Sequence, residues 1–526
     1  MIQFDFDDLQ NSAHRVGTHI HDYERDDVVQ LAEWMASTID EFLEVSRALV
    51  PAPSAVPAVR VSGATPAHAE DPLNAIVRWV DVVAVASEVQ SDLLAGKKIG
   101  MKDLIAVAGI PISAASLLLE GFVPREDAVV TERVLRAGGH IVAMTNMEGV
   151  AFGGGGESGI YGATLNPFDL TRSTSGSSGG SAASLFYDGI DITFGTDQGG
   201  SVRLPASWCG VLGLKPTHSL VPYTGIASHD LTFDHVGPMT RTTENMALAM
   251  AAISGPHISD VRQDSATPAD LPFVQAWADA PDTYKGVRFG LLTEALASDG
   301  TPEREAALAG FADAVEKIRA LGGEVVEVSI PEHDMAASIL FGAMLEGVAA
   351  TLHGNGEGYH RGGGHSVDVR RAVGKGLLAH GDELQAAYKT AAVLGEHLRS
   401  KYFGTVYATA QTVIPVLRAA YDRAFEEVDV VLMATTRTPA MRLKPEASVY
   451  EMHRRSFSMT QDTPAHNATG HPALSLPGAE SEGLPLGVTF VGRFFDDARL
   501  IALARTWEKA YGWLPANAPV FRSGKD

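Results

Sequence analysis

Tyr187-Asp-Gly-Ile-Asp-Ile-Thr-Phe-Gly-Thr-Asp-Gln-Gly-Gly-Ser-Val-Arg203 is the stretch on which the reading of this chain turns. Ile190, Ile192 and Phe194 alternate with polar or small residues, the period of a strand over Tyr187–Thr196. The chain then enters Gly199-Gly200-Ser201, bracketed by Asp197 and Arg203. A rigid strand feeding a glycine turn holds backbone amides and a hydroxyl in one place. Outward from it, helical and strand signals alternate. Thr131–Ala137 reads as a helix closed by Gly138-Gly139, and His140–Met144 as a short apolar strand. Val287–Leu292 and Glu324–Ile330 read as strands. Between them Thr301-Pro302 opens a helix with Leu308, Phe311, Val315, Ile318 and Leu321 on one face. Val428–Met433 is a solid apolar run of the buried-strand type. This alternation predicts an α/β fold, a mixed central sheet covered by helices.

Before that region, residues 26–49 carry Leu31, Met35, Ile39, Phe42, Leu43 and Leu49 at helical spacing. Pro51, Pro53, Pro57 and Pro66 then mark a Pro/Ala-rich linker. Residues 1–70 are therefore expected to form a small N-terminal helical part, packed on its own core or serving dimerisation, and 71–526 the main domain. The 526 residues carry 41 basic and 64 acidic side chains, a formal charge of −23. That argues against nucleic acid or an anionic membrane as partner, since both demand clustered Lys and Arg. The acidic start has no basic segment followed by an apolar run, and no stretch of ~18 uninterrupted apolar residues suggests a spanning helix. Cys209, the sole cysteine, fits a reducing compartment, so a cytoplasmic location is expected.

Amides at Gly199-Gly200-Ser201 suit an anion that develops on a carbonyl oxygen, and a serine there could attack the carbon. Serine is a weak nucleophile until a base takes its proton. Met101-Lys102-Asp103, with Ile99, Ile105 and Val107 around it, offers a lysine whose amine burial would leave uncharged. Gly176-Ser177-Ser178-Gly179-Gly180-Ser181 has three readings: a flexible linker, a G-x-S-x-G elbow with Ser178 as nucleophile, or a proton relay. The elbow needs a strand just before it, whereas Asn166–Thr174 is polar and broken by proline. Phosphate-loop, zinc-helix and β-lactamase patterns do not occur. His353, His360 and His365 lie in a glycine-rich stretch with Glu357 as the nearby carboxylate, a poor frame for a metal.

The two Gly/Ser segments together with Lys102-Asp103, Leu204-Pro205, Cys209-Gly210, Gly213-Leu-Lys-Pro216, Gly470-His-Pro-Ala473, Gly483-Leu-Pro-Leu-Gly487 and Asp496-Asp497-Ala498 resemble the amidase signature family, over about residues 70–515. The resemblance implies the amidase signature fold and a Ser-Ser-Lys triad. Ser201 would be the nucleophile, Ser177 the relay behind a cis peptide bond, and Lys102 the base. The amides of Gln198, Gly199, Gly200 and Ser201 would form the oxyanion hole, with Asp197 and Arg203 in support. It implies hydrolysis of a linear carboxylic amide to carboxylate and ammonia, without metal or cofactor. Asp197–Ser201, Val221-Pro-Tyr-Thr-Gly225 and Asp234-His-Val-Gly-Pro238 look most like the nitrile-hydratase-associated amidases, which implies a homodimer and a small-molecule amide substrate. The alternatives are a glutaminase subunit of a transamidosome, an esterase-type hydrolase with the same triad or with Ser178, and a catalytically silent binding protein. Ala434, Gly153–Gly156 and the His353–His365 loop depart from the family pattern.

Overall fold

The structure, a computed structural model, describes residues 2–49, 54–359, 362, 364–514 and 519–521. Two compact units divide the chain, Met1–Ser54 and Ala55–Asp526. In the first, Asp5 caps helix Phe6–Arg15 by accepting the Asp8 N–H at 2.8 Å. The amphipathic pattern becomes helix Arg25–Leu49. Pro51 and Pro53 of the expected linker lie outside the described residues.

The boundary expected at residue 70 moves to 54/55. Ala58–Ser62 is a strand, paired antiparallel with Ile76–Ala84. Arg60 grips Asp127 at 2.6 Å and the Val56 carbonyl at 2.8 Å, so this stretch is built into the larger unit.

The larger unit is organised on a sheet of twelve strands. Their order across it is Ala58–Ser62, Ile76–Ala84, His140–Thr145, Lys98–Lys102, Ile192–Asp197, His235–Thr240, Leu212–Lys215, Ala473–Ser481, Leu484–Val491, Val430–Ala434, Arg288–Leu292 and Glu324–Val328. Parallel and antiparallel pairs mix, as the alternation predicts. Most of these strands are buried throughout and packed between helices, the environment that their near-continuous apolar composition requires. One expected strand is shorter than its pattern. Regular pairing begins at Ile192, whereas Tyr187 and Ile190 turn into a separate apolar cluster with Phe186 and Leu73.

Lys98–Lys102 runs parallel to both His140–Thr145 and Ile192–Asp197. The carboxyl ends of neighbouring parallel strands thus bring Lys102 and the Thr196–Arg203 turn to one edge, where α/β sheets open their crevices.

Helix Ala336–His353 packs on helices Ala386–Tyr402 and Thr405–Glu427. With the turn before it, it is long and apolar enough to cross a membrane by length and composition, at a mean hydropathy of 1.7. More than half of it is buried within the fold, and Glu346 interrupts the apolar run that a sequence scan would register.

Candidate active site

Lys102 ends its strand with a side chain that is 0% exposed. Its Nζ lies 2.7 Å from Ser177 Oγ and 2.8 Å from Thr196 Oγ1. Burial lowers the amine from its ordinary 10.5 to about 7, against the opposing pull of Asp197 and Glu148. Near neutrality a large share of Lys102 is therefore an uncharged base, held against a hydroxyl.

The Gly176–Ser177 peptide is cis. Ser177 is fully buried, and its carbonyl accepts the Glu148 N–H at 3.0 Å. Ser178 belongs to the framework. Its N–H donates to the Ser201 carbonyl at 3.3 Å, tying the two serine segments together. Its Oγ is buried and donates to the Thr196 carbonyl at 3.2 Å, which removes it as a rival nucleophile.

Ser201 differs from its two partners in exposure, 8% against 0% for Lys102 and Ser177. It lines a cavity of about 450 Å³. The Lys102–Ser177 link is closed, while the Ser201 hydroxyl has no hydrogen-bond partner among the described residues. Catalytic hydrogen bonds often tighten only when substrate is bound.

The turn before Ser201 is held from behind. The Asp197 carboxylate meets the Arg203 guanidinium at 2.9 and 3.0 Å, with both side chains fully buried. Burial would raise the Asp197 carboxyl, but the Arg203 charge and the hydrogen bonds outweigh it and hold the group at about 2. Asp197 also accepts Gly200 N–H at 2.7 Å, Val202 N–H at 3.2 Å and Asn467 Nδ2 at 2.9 Å. Thr463 Oγ1 donates to the Gly199 carbonyl at 2.6 Å. Gly200 has φ +133°, and a Cβ there would collide with the Thr463 hydroxyl and Leu204, so no other residue fits.

This geometry corrects the expected oxyanion hole at one place. The Gly200 amide is engaged by Asp197 and cannot serve a substrate oxygen. Gln198, Gly199 and Ser201 remain as the candidate donors.

Several functional neighbours escaped the sequence reading. Thr196 shares the lysine amine with Ser177. Glu148, fully buried, takes the N–H of Gly156, that of Glu157 at 3.1 Å and the Ser158 hydroxyl at 2.5 Å. Its carboxyl is pushed up by burial and drawn back by those donors. Ser456 Oγ accepts the amides of Gly154 and Gly155, each at 2.8 Å, so the glycine run is pinned beside the site. Phe152, Leu340, Phe341, Met344 and Phe457 line the cavity with Thr460 and Gln198. No charged side chain is among its lining residues. Only the unusual Gly153–Gly156 pattern signalled any of this.

His353 pairs with Glu396 at 2.9 Å and His365 with Glu357 at 3.1 Å, while His360 lies outside the described residues. Among the described residues no three His, Cys, Asp or Glu side chains are grouped to hold a metal ion.

The model of the Amidase family matches residues 67–501. The chain belongs to the amidase family. This amidase is 33% identical over 432 residues to a glutamyl-tRNA(Gln) amidotransferase subunit from Synechococcus sp. (strain RCC307), covering 81% of this chain and 86% of that one. Among solved structures it is similar to the corresponding glutamyl-tRNA(Gln) amidotransferase subunit of Thermotoga maritima, with TM-score 0.65 and 27% identity over 81% of this chain and 86% of the other. It is likewise similar to the peptide amidase of Stenotrophomonas maltophilia, with TM-score 0.67 and 26% identity over 82% and 85%. The fold is the amidase signature fold, and the protein is an amide-cleaving enzyme. The expected homodimer with a small-molecule amide substrate is corrected by these relatives. They are named as one subunit of an amidotransferase, which points to protein partners instead.

Proposed function

We propose that this amidase cleaves a carboxamide to carboxylate and ammonia through an acyl-enzyme on Ser201, and does so as the glutaminase subunit of an amidotransferase. The observation that carries the chemistry is the 2.7 Å contact of Lys102 Nζ with Ser177 Oγ in a fully buried setting. Neutral Lys102 takes the Ser177 proton as Ser177 takes that of Ser201. Ser201 Oγ then bonds to the carbonyl carbon, and the amides of Gln198, Gly199 and Ser201 receive the oxygen's charge. The proton returns through Ser177 to the amide nitrogen, the C–N bond breaks and ammonia departs. Water, deprotonated along the same route, cleaves the ester and restores Ser201.

The subunit reading is supported by the names of the relatives. A second reading is a self-sufficient amidase of the nitrile-hydratase-associated kind, cleaving amides with apolar acyl groups. The uncharged cavity lining favours it, because the ammonium and carboxylate of glutamine would want charged partners. Ammonia release from glutamine and from phenylacetamide by the isolated chain separates the two. The subunit reading expects glutamine turnover to rise when partner proteins are present. Phenylacetamide turnover by the chain alone, with none from glutamine under either condition, would overturn it. For the chemistry, a fluorophosphonate should add to Ser201, and Ser201→Ala should take no adduct. An adduct on Ser178 would refute the triad.

A further inference from the structure

Behind Arg203 runs a chain of buried polar side chains with no part in the chemistry proposed above. Arg203 Nη1 lies 3.1 Å from His466 Nδ1, and His466 Nε2 lies 3.3 Å from the Tyr421 hydroxyl. That hydroxyl is 2.7 Å from His333 Nδ1, and His333 Nε2 is 3.3 Å from Asp462 Oδ1. Asp462 is held by Arg437 at 2.7 and 2.8 Å. Its chain neighbour Thr463 donates to the Gly199 carbonyl and gives its own carbonyl to Arg203 at 2.9 Å. The contacts close into a ring that begins and ends on the turn carrying Ser201.

Donor chemistry fixes the direction of every link. A guanidinium can only donate, so His466 Nδ1 must be bare and, in the neutral ring, Nε2 carries the proton. Nε2–H donates to the Tyr421 oxygen, which leaves the tyrosine proton for His333 Nδ1. His333 therefore carries its proton on Nε2 and donates it to the Asp462 carboxylate. Each member has one orientation that satisfies both neighbours, and the sequence of donors leads from the Ser201 turn to an anchored anion. His466 is neutral on this account, in keeping with the burial and the Arg203 charge that hold its pKa well below the usual value.

We propose that His466, Tyr421 and His333 are positioning residues that hold the Gln198–Ser201 amides in register with the nucleophile, through Arg203 on one side and Asp462–Thr463 on the other. The inference rests on the oxyanion role proposed for that turn. The elements joined are far apart in the chain: the turn Pro331–Met335, helix Thr405–Glu427 and helix Pro464–Thr469. The first leads directly into the helix that lines the cavity with Leu340, Phe341 and Met344. A half-satisfied buried network is costly, so the ring favours a single arrangement of loop and cavity wall.

The test is the saturation kinetics of fluorophosphonate labelling at Ser201 in the full chain. Tyr421→Phe cannot link the two imidazoles, and the limiting labelling rate should fall at least about tenfold while the half-saturating concentration stays put. His466→Ala should behave alike, whereas His466→Asn, with a side-chain oxygen near the Nδ1 position, should recover most of the rate. Unchanged limiting rates in both Tyr421→Phe and His466→Ala would overturn the proposal. Loss of wild-type labelling at Ser201 would instead defeat the nucleophile assignment. Nitrogen-15 NMR of histidine-labelled wild-type protein decides independently of labelling and of any variant's folding. His333 and His466 should both be Nε2–H tautomers at neutral pH, and an Nδ1–H or doubly protonated ring at either place would refute the ring.

Discussion

Replacing Lys102 by methionine should make the protein inactive and, at neutral pH, more stable. The unfolded chain keeps a proton on Lys102 up to the ordinary value of 10.5, and the native chain only up to about 7. Between those values the unfolded state binds more protons, so raising the pH stabilises the native state. At pH 7 the buried lysine therefore costs about 4 kcal/mol relative to the alkaline limit. Methionine is nearly as long and fills the space without a charge. It gives up the contacts with Ser177 and Thr196, at about 1 kcal/mol each. The balance at pH 7 favours Lys102→Met by about 2 kcal/mol, while at pH 10 the lysine cost has shrunk to about 1 and the variant should be the less stable by a similar amount. Urea unfolding at pH 7, 8.5 and 10 follows the crossing. A stability difference that does not change with pH, or a variant weaker than wild type at pH 7, would refute the idea of a lysine neutralised by its dry setting.

Three further outcomes follow from the same geometry. The Ser201 labelling rate should climb as pH rises toward about 7 and level off above it, because the lowered Lys102 must lose its proton; a rate already flat from pH 5 would contradict the base assignment. Asp197→Asn should leave the Arg203 charge buried without its carboxylate and cost about 3–5 kcal/mol in urea unfolding at pH 7. In the wild type the contribution of Asp197, whose carboxyl is depressed from 3.8 to about 2, is complete above the higher value and is lost as pH falls toward the lower. Cys209 is wholly buried and burial pushes its thiol up, so the native protein should resist iodoacetamide and react once unfolded.

The twelve-stranded sheet and the pinned turn divide the catalytic task in a way the energetics make intelligible. Parallel strands set Lys102 beside Thr196 with little freedom, since strand register is fixed by pairing on both sides. The turn itself lacks such a ladder. It is held instead by the Asp197 carboxylate, the Arg203 guanidinium and the Thr463 hydroxyl, groups whose burial is tolerable only because each is matched.

What could be read from the chain alone was local or chemical. Alternating Ile192 and Phe194 announced a strand, Gly199-Gly200 a turn that side chains cannot enter, and Lys102 with Ser177 and Ser201 a base and two hydroxyls of the right kind. These signals survive in sequence because each depends on residue type and near neighbours. Tertiary structure decided the rest. It moved the unit boundary to 54/55, began the strand at Ile192, engaged the Gly200 amide with Asp197 and seated Leu340, Phe341 and Met344 in the cavity wall. It also joined Arg203 to His466 across 263 positions. Such pairings have no local signature, because they are selected by how helices and sheet pack and by which buried donor finds which acceptor once water is gone.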